Sequence, residues 1–135
     1  MTEETAFKSD RTILIAEDNE VNMFFLKTLL KMYVSNVIIL EAHDGEEVEN
    51  TLTQVKPDLI FLDLSLPLKD GYEIAKDIKK NLSLRNIPIV VLTATDSEEV
   101  KDALLKVGID IFIKKPASKE IILNALKTCL KSIVL

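Results

Sequence analysis

The sequence predicts an α/β fold: a five-stranded parallel sheet, doubly wound, with helices on both faces. Three observations carry that prediction. Short apolar runs rich in β-branched residues recur five times along the 135-residue chain, as expected of strands buried on both faces. Each is followed by a segment whose apolar residues repeat at helical spacing, which makes βαβ units with a parallel sheet. Several of the strand-like runs end abruptly in polar or charged residues, as a buried strand does where it emerges from a sheet.

Residues 1–10 are polar and mixed in charge, and are expected to form a flexible N-terminus. A single domain follows over residues 11–135. Thr12–Ala16 (TILIA) reads as the first strand and ends in Glu17-Asp18-Asn19. From Glu20 to Tyr33 the pattern turns helical, with Val21, Phe25, Leu29 and Met32 at the spacing of an apolar stripe. Val37–Leu40 is the second strand, closed by the turn His43-Asp44-Gly45, and Val48, Leu52 and Val55 mark one face of the second helix.

The third strand lies in PDLIFLDLSLPLKDG, residues 57–71. Leu59-Ile60-Phe61-Leu62 runs into a carboxylate, Asp63; Pro67 and Asp70-Gly71 then turn the chain into a helix lined by Ile74 and Ile78. Ile87–Leu92 is the fourth strand, with Pro88 tolerated near its start, and it ends in Thr93-Ala94-Thr95-Asp96. Val100, Ala103, Leu104 and Val107 form the next helical face, and Gly108 suits a C-cap. Ile111–Ile113 is a short fifth strand ended by Lys114-Lys115-Pro116; Ser118 suits the N-cap of a last helix carrying Ile122, Ala125, Leu126 and Cys129. Right-handed crossovers leave few topologies for such a chain, and the natural one is the flavodoxin-like strand order 2-1-3-4-5.

Composition narrows the function classes. Hydrophobic residues make up 47% and charged residues 29%, a globular balance. A net charge of −5 argues against a nucleic-acid or anionic-membrane surface. One cysteine makes no internal disulfide, so a reducing, cytoplasmic setting is expected. Neither a signal-peptide pattern nor a membrane-spanning apolar run is visible.

A charge at a strand end either caps the next loop or does chemistry, and Asp63 alone leaves both open. In the 2-1-3-4-5 order the switch point lies between strands one and three, where ligands of open α/β sheets bind. Glu17, Asp18 and Asp63 would meet there, joined by Thr93 and Lys115 from strands four and five. Two unit charges 4 Å apart repel by roughly 4 kcal/mol at an effective dielectric near 20, so three carboxylates need compensation. Lys115 offsets one charge; a hard divalent cation with oxygen ligands, Mg²⁺, would offset the rest. Mg²⁺, a lysine and a hydroxyl without a glycine-rich loop suit a small phosphoryl group, with Asp63 as nucleophile. The absence of a Walker A sequence speaks against a nucleoside triphosphate.

Four motifs in order, ILIAEDNEVN, LIFLDLSLP, VVLTA and FIKKP, give the chain a resemblance to the receiver (response-regulator) domains of two-component phosphorelays, over Ile13 to about Leu130. The resemblance implies a switch rather than a turnover enzyme: Asp63 accepts a phosphoryl group from a phosphohistidine on a sensor histidine kinase or histidine phosphotransfer protein. It implies Mg²⁺ held by Glu17, Asp18, Asp63 and the backbone carbonyl of Ser65, with Asp18 the direct ligand of the acidic pair and Glu17 acting through water. It implies that Lys115, the residue before Pro116, pairs with the phosphoryl oxygens, and that the Lys115–Pro116 bond is cis. Thr93 and Phe112 would be the switch residues, and the face of the fourth helix, fifth strand and fifth helix would bind a downstream protein. Phe112 stands where tyrosine is commoner, and Leu66 where methionine is usual.

Two rivals differ by single features. A haloacid-dehalogenase-like phosphatase wants an acid two residues after the nucleophile, where this chain has Ser65. A pseudo-receiver that never meets phosphate would have no need of the complete acid–aspartate–threonine–lysine set. With the last helix ending near Leu135, the expectation is a receiver without a DNA-binding output domain, standing alone or cut from a larger protein such as a hybrid kinase.

Overall fold

The computed structural model of the protein describes residues 11–95 and 97–130; the flexible stretch expected at residues 1–10 lies outside them. The elements are β1 (Arg11–Ala16), α1 (Glu20–Tyr33), β2 (Val37–Ala42), α2 (Gly45–Leu52), β3 (Leu59–Asp63), α3 (Gly71–Lys80), β4 (Ile89–Thr93), α4 (Glu98–Lys106), β5 (Ile111–Lys114) and α5 (Lys119–Cys129). All four strand pairings are parallel and the order is β2-β1-β3-β4-β5, the flavodoxin-like doubly wound sheet.

Side chains alternate across the strands and so build two cores. On one face Ile13, Ile15, Leu59, Phe61, Val90 and Leu92 pack against α1 and α5, through Leu26, Leu30, Ile122 and Leu126. On the other, Leu14, Ile60, Leu62 and Val91 pack against α2, α3 and α4, through Val48, Ile74, Ile78 and Leu104. All five residues of β3 and of β4 are buried, which is why these strands read as unbroken apolar runs.

Each helix opens on a side chain that accepts a hydrogen bond from its first turn: Asn19, Asp44, Asp70, Ser97 and Ser118. Such caps stabilise by about 1 kcal/mol each. Gly108 ends α4 at φ +101°, with its N–H donating to the Leu105 carbonyl and the Ile109 N–H to that of Leu104. This is the Schellman arrangement, which favours glycine.

Two sequence expectations are corrected. The stripe Val21, Phe25, Leu29, Met32 is the buried face of α1 only at Leu29: Val21, Phe25 and Met32 are 76, 38 and 59% exposed, and Met23, Leu26 and Leu30 join Leu29 against the sheet. Helix α1 carries two apolar stripes, and docking on the sheet covers only one in full. Val55 lies beyond α2 and is exposed, because the chain leaves the helix at Thr53, whose hydroxyl donates to the Asn50 carbonyl. Strand limits also shift slightly: β2 continues to Ala42, β4 starts at Ile89, and β5 includes Lys114.

Candidate functional site

A parallel sheet delivers every strand's C-terminal end to one edge. Ala16 of β1 sits opposite Leu62 of β3, so Glu17 and Asp63, one residue further on each strand, emerge side by side. Asp63 in turn lies beside Leu92, and Thr93 beside Lys114. The residues expected to converge are therefore carried to one rim by register alone.

Glu17 is wholly buried, Asp63 is 2% exposed, and Asp18 is open to solvent. One carboxylate oxygen from each falls within 4.8 Å of the others. The Lys115 ammonium reaches over this group, with Nζ 2.9 Å from Asp63 Oδ2, 3.0 Å from Glu17 Oε1 and 3.3 Å from Glu17 Oε2. Two backbone N–H groups complete the cradle: Asn19 donates to Glu17 Oε2 at 3.1 Å and Ser65 to Asp63 Oδ1 at 2.9 Å. Sequence reasoning missed both donors, since any residue type but proline supplies one.

Burial pushes the Glu17 carboxyl above its ordinary pKa, against the bonds from Asn19 and Lys115, and the nearby charge of Asp63 adds to the rise. For Lys115, burial acts to lower the ammonium, but hydrogen bonds to Asp63 and then Glu17, with their charges, outweigh it and the net shift is upward. Glu17 Oε1 is buried and accepts no hydrogen bond with proper geometry among the described residues, although Lys115 stands at ion-pair distance. A buried oxygen short of a donor beside two more carboxylates, all hard oxygen donors, fits a small divalent cation.

The loop after β3 is set by its backbone. The Gly71 N–H donates to the Leu64 carbonyl at 3.0 Å. A Cβ on Gly71 would lie 2.5 Å from the Asp63 carbonyl oxygen and 2.6 Å from Leu64 Cα, so only glycine lets α3 start this close to the acidic strand end. Opposite, the Lys115–Pro116 bond is cis, and the Lys115 N–H donates to the Thr93 carbonyl at 2.8 Å. A cleft of about 240 Å³ between α1 and this segment has Glu17, Phe25, Lys115 and Pro116 in its walls.

Thr93 is buried, but its hydroxyl is engaged locally, donating to the Thr95 carbonyl at 3.2 Å and accepting from the Thr95 N–H at 3.1 Å. Phe112 is half-buried and, with Thr93, Thr95, Lys101 and Lys114, lines a cavity of about 300 Å³. The structure thus gathers Glu17, Asp18, Asp63 and Lys115 into one cluster, with Ser65 bonded to it through its N–H, and leaves Thr93 and Phe112 beside it. Among the described residues, no helix is long and apolar enough to cross a membrane.

The sequence profile of the response regulator receiver domain matches residues 13–127. The chain is 29% identical over 120 residues to the polar-differentiation response regulator DivK of Brucella anthropi, covering 89% of this chain and 96% of DivK. It is 35% identical over 121 residues to the phosphate regulon transcriptional regulatory protein PhoB of Pseudomonas aeruginosa, covering 90% of this chain and 52% of PhoB. Among solved structures, the receiver domain of a sensor histidine kinase from Pseudomonas aeruginosa, with a magnesium ion coordinated in its active-site cleft, is similar at a TM-score of 0.79 and 25% identity, over 92% of this chain and all of that one. With the profile spanning every strand end at the site, the chain belongs to the response regulator receiver domain family.

Proposed function

We propose that this receiver domain is a cytoplasmic phosphoryl-accepting switch and that Asp63 is its acceptor. The observation that carries the reading is the buried, charge-compensated cluster: Asp63 beside Glu17 and Asp18, with the Lys115 ammonium 2.9 Å away. The donor is a phosphohistidine on a sensor histidine kinase or a histidine phosphotransfer protein. A carboxylate oxygen of Asp63 forms the new P–O bond as the P–N bond breaks, and the bonding pair returns to the donor imidazole. The Asp63 oxygen bonded to the Ser65 N–H is held in place, and the other is met by the Lys115 ammonium. Lys115 balances charge on the equatorial phosphoryl oxygens.

Glu17, Asp18, Asp63 and the Ser65 carbonyl would hold Mg²⁺, which when bound supplies charge compensation between the acids and the incoming phosphoryl group. Asp18, the exposed acid, is suited to direct ligation; Glu17, buried under Lys115, is suited to acting through water. Thr93 then exchanges its bonds with Thr95 for one to the phosphoryl group, Phe112 turns inward, and the face of α4, β5 and α5 changes for a downstream protein. The domain catalyses its own phosphorylation and dephosphorylation and turns over no other substrate.

The test is labelling by a small-molecule phosphodonor with Mg²⁺. Wild-type protein is expected to take up one phosphoryl group and Asp63→Asn none; equal labelling of both overturns the assignment.

A further inference from the structure

Lys69 lies on the outer side of the loop that joins β3 to α3, and its ammonium is bonded to two acids on different helices, Glu49 of α2 and Asp77 of α3. Within that loop Leu66 is buried in the core, but Pro67 and Leu68 beyond it are exposed and apolar packing does not hold them. Its tip, Leu68, is 71% exposed and adopts φ +71°, a backbone region unfavourable for a leucine. The Lys69 N–H donates to the Pro67 carbonyl at 2.8 Å, closing a tight γ-turn over Leu68. The same carbonyl accepts from the Gly45 N–H at 3.0 Å, and a Cβ on Gly45 would lie 2.3 Å from the Lys69 carbonyl oxygen. The loop is thus pressed against the start of α2 in a strained turn, and the Lys69 ion pairs fasten it to both flanking helices.

We propose that Lys69 is a positioning residue for the metal: by tying α2 to α3 across the loop, it keeps the Ser65 carbonyl turned toward the carboxylates. This rests on the reading of Ser65 as a metal ligand given above. Exposed ion pairs contribute little to global stability, so the effect belongs in cation affinity and local loop opening. Electrostatics alone gives the opposite sign. Lys69 is a cation, and removing it would on charge grounds favour Mg²⁺ at a nearby acidic cluster; positioning requires that removing it weakens Mg²⁺ binding.

The experiment measures Mg²⁺ dissociation constants by calorimetry on the full chain, with amide hydrogen exchange on the metal-free protein. Lys69→Met is expected to weaken Mg²⁺ binding by about threefold to tenfold, less than the loss of a direct hydrogen-bonding partner to a ligand. Lys69→Arg, which keeps charge and reach, is expected to restore it to within about twofold. Exchange at Gly45 and Gly71 speeds up in Lys69→Met while that of β3 does not. Unchanged or tighter Mg²⁺ binding in Lys69→Met, an equal loss in Lys69→Arg, or an equal rise of exchange in β3 overturns the proposal. Asp63→Asn run in parallel separates the two levels: wild-type Mg²⁺ affinity in that variant would remove the metal-site reading itself, whatever Lys69 does.

Discussion

The two halves of the sheet's carboxyl rim are built from different forces. Between β1, β3 and β5, buried Glu17 and Asp63 are held by the Lys115 ammonium and two backbone donors, all within 3.3 Å. Between β4 and β5, Thr93 is held by two neutral bonds to Thr95, beside a cavity of about 300 Å³ that Phe112 lines. Charge-assisted bonds in a buried site are roughly twice as strong as neutral ones, and empty volume next to an aromatic ring leaves it room to turn. One half is stiff and suited to chemistry; the other is soft and suited to rearrangement. A switch needs both, side by side.

The largest expected effect comes from the stiff half. Lys115→Met leaves Glu17 and Asp63 buried without their cation, and should lower the unfolding free energy of chelator-treated protein by about 3 kcal/mol at neutral pH. Urea titration measures it, and Mg²⁺ should recover part of the loss. The wild-type contribution of Lys115 is present below the ordinary lysine pKa of 10.5 and fades as pH rises through its higher folded value.

Next comes Glu17, with the same sign of pH dependence in a lower pH window. Its folded pKa is raised above 4.5, so the folded state holds its proton more tightly than the unfolded one. Stability of the metal-free protein from this group is greatest below about pH 4.5 and declines as pH rises through the folded value. Glu17→Gln should flatten that decline; a profile identical to wild type would mean Glu17 is not desolvated. On the soft half, Thr93→Val should cost about 1 kcal/mol, one neutral hydrogen-bonding group, with Mg²⁺ affinity and labelling retained and phosphorylation-dependent partner binding lost. A Thr93→Val variant as unstable as Lys115→Met would erase the contrast. The smallest change is Phe112→Leu, within about 1 kcal/mol because the ring borders space, and read best as altered partner affinity.

Legibility in the sequence followed the same division. Strands β1, β3 and β4 were readable because burial on both faces leaves no alternation to misread, and their polar ends mark the rim. The acids, Thr93 and Lys115 followed from strand order, since a parallel sheet converts separate sequence positions into one edge. Helix α1 was readable as a helix but only partly as to its inner face: Val21-Phe25-Leu29-Met32 is as regular as Met23-Leu26-Leu30, and packing buries only Leu29 of the first set. Lys69 was invisible because its partner Glu49 is twenty residues away, and a lone lysine in a loop looks like solvated surface. The Ser65 and Asn19 donors were hidden because they are backbone groups.

Gly71 has no side chain to do chemistry with, yet a methyl group there would collide with the Asp63 carbonyl at 2.5 Å. An unbiased genetic screen for lost signalling should therefore return substitutions at residue 71 alongside those at residue 63. The two classes would separate on purification: Asp63→Asn should yield a well-folded protein that is silent, whereas Gly71→Ala should yield one whose β3 and α3 no longer fit together.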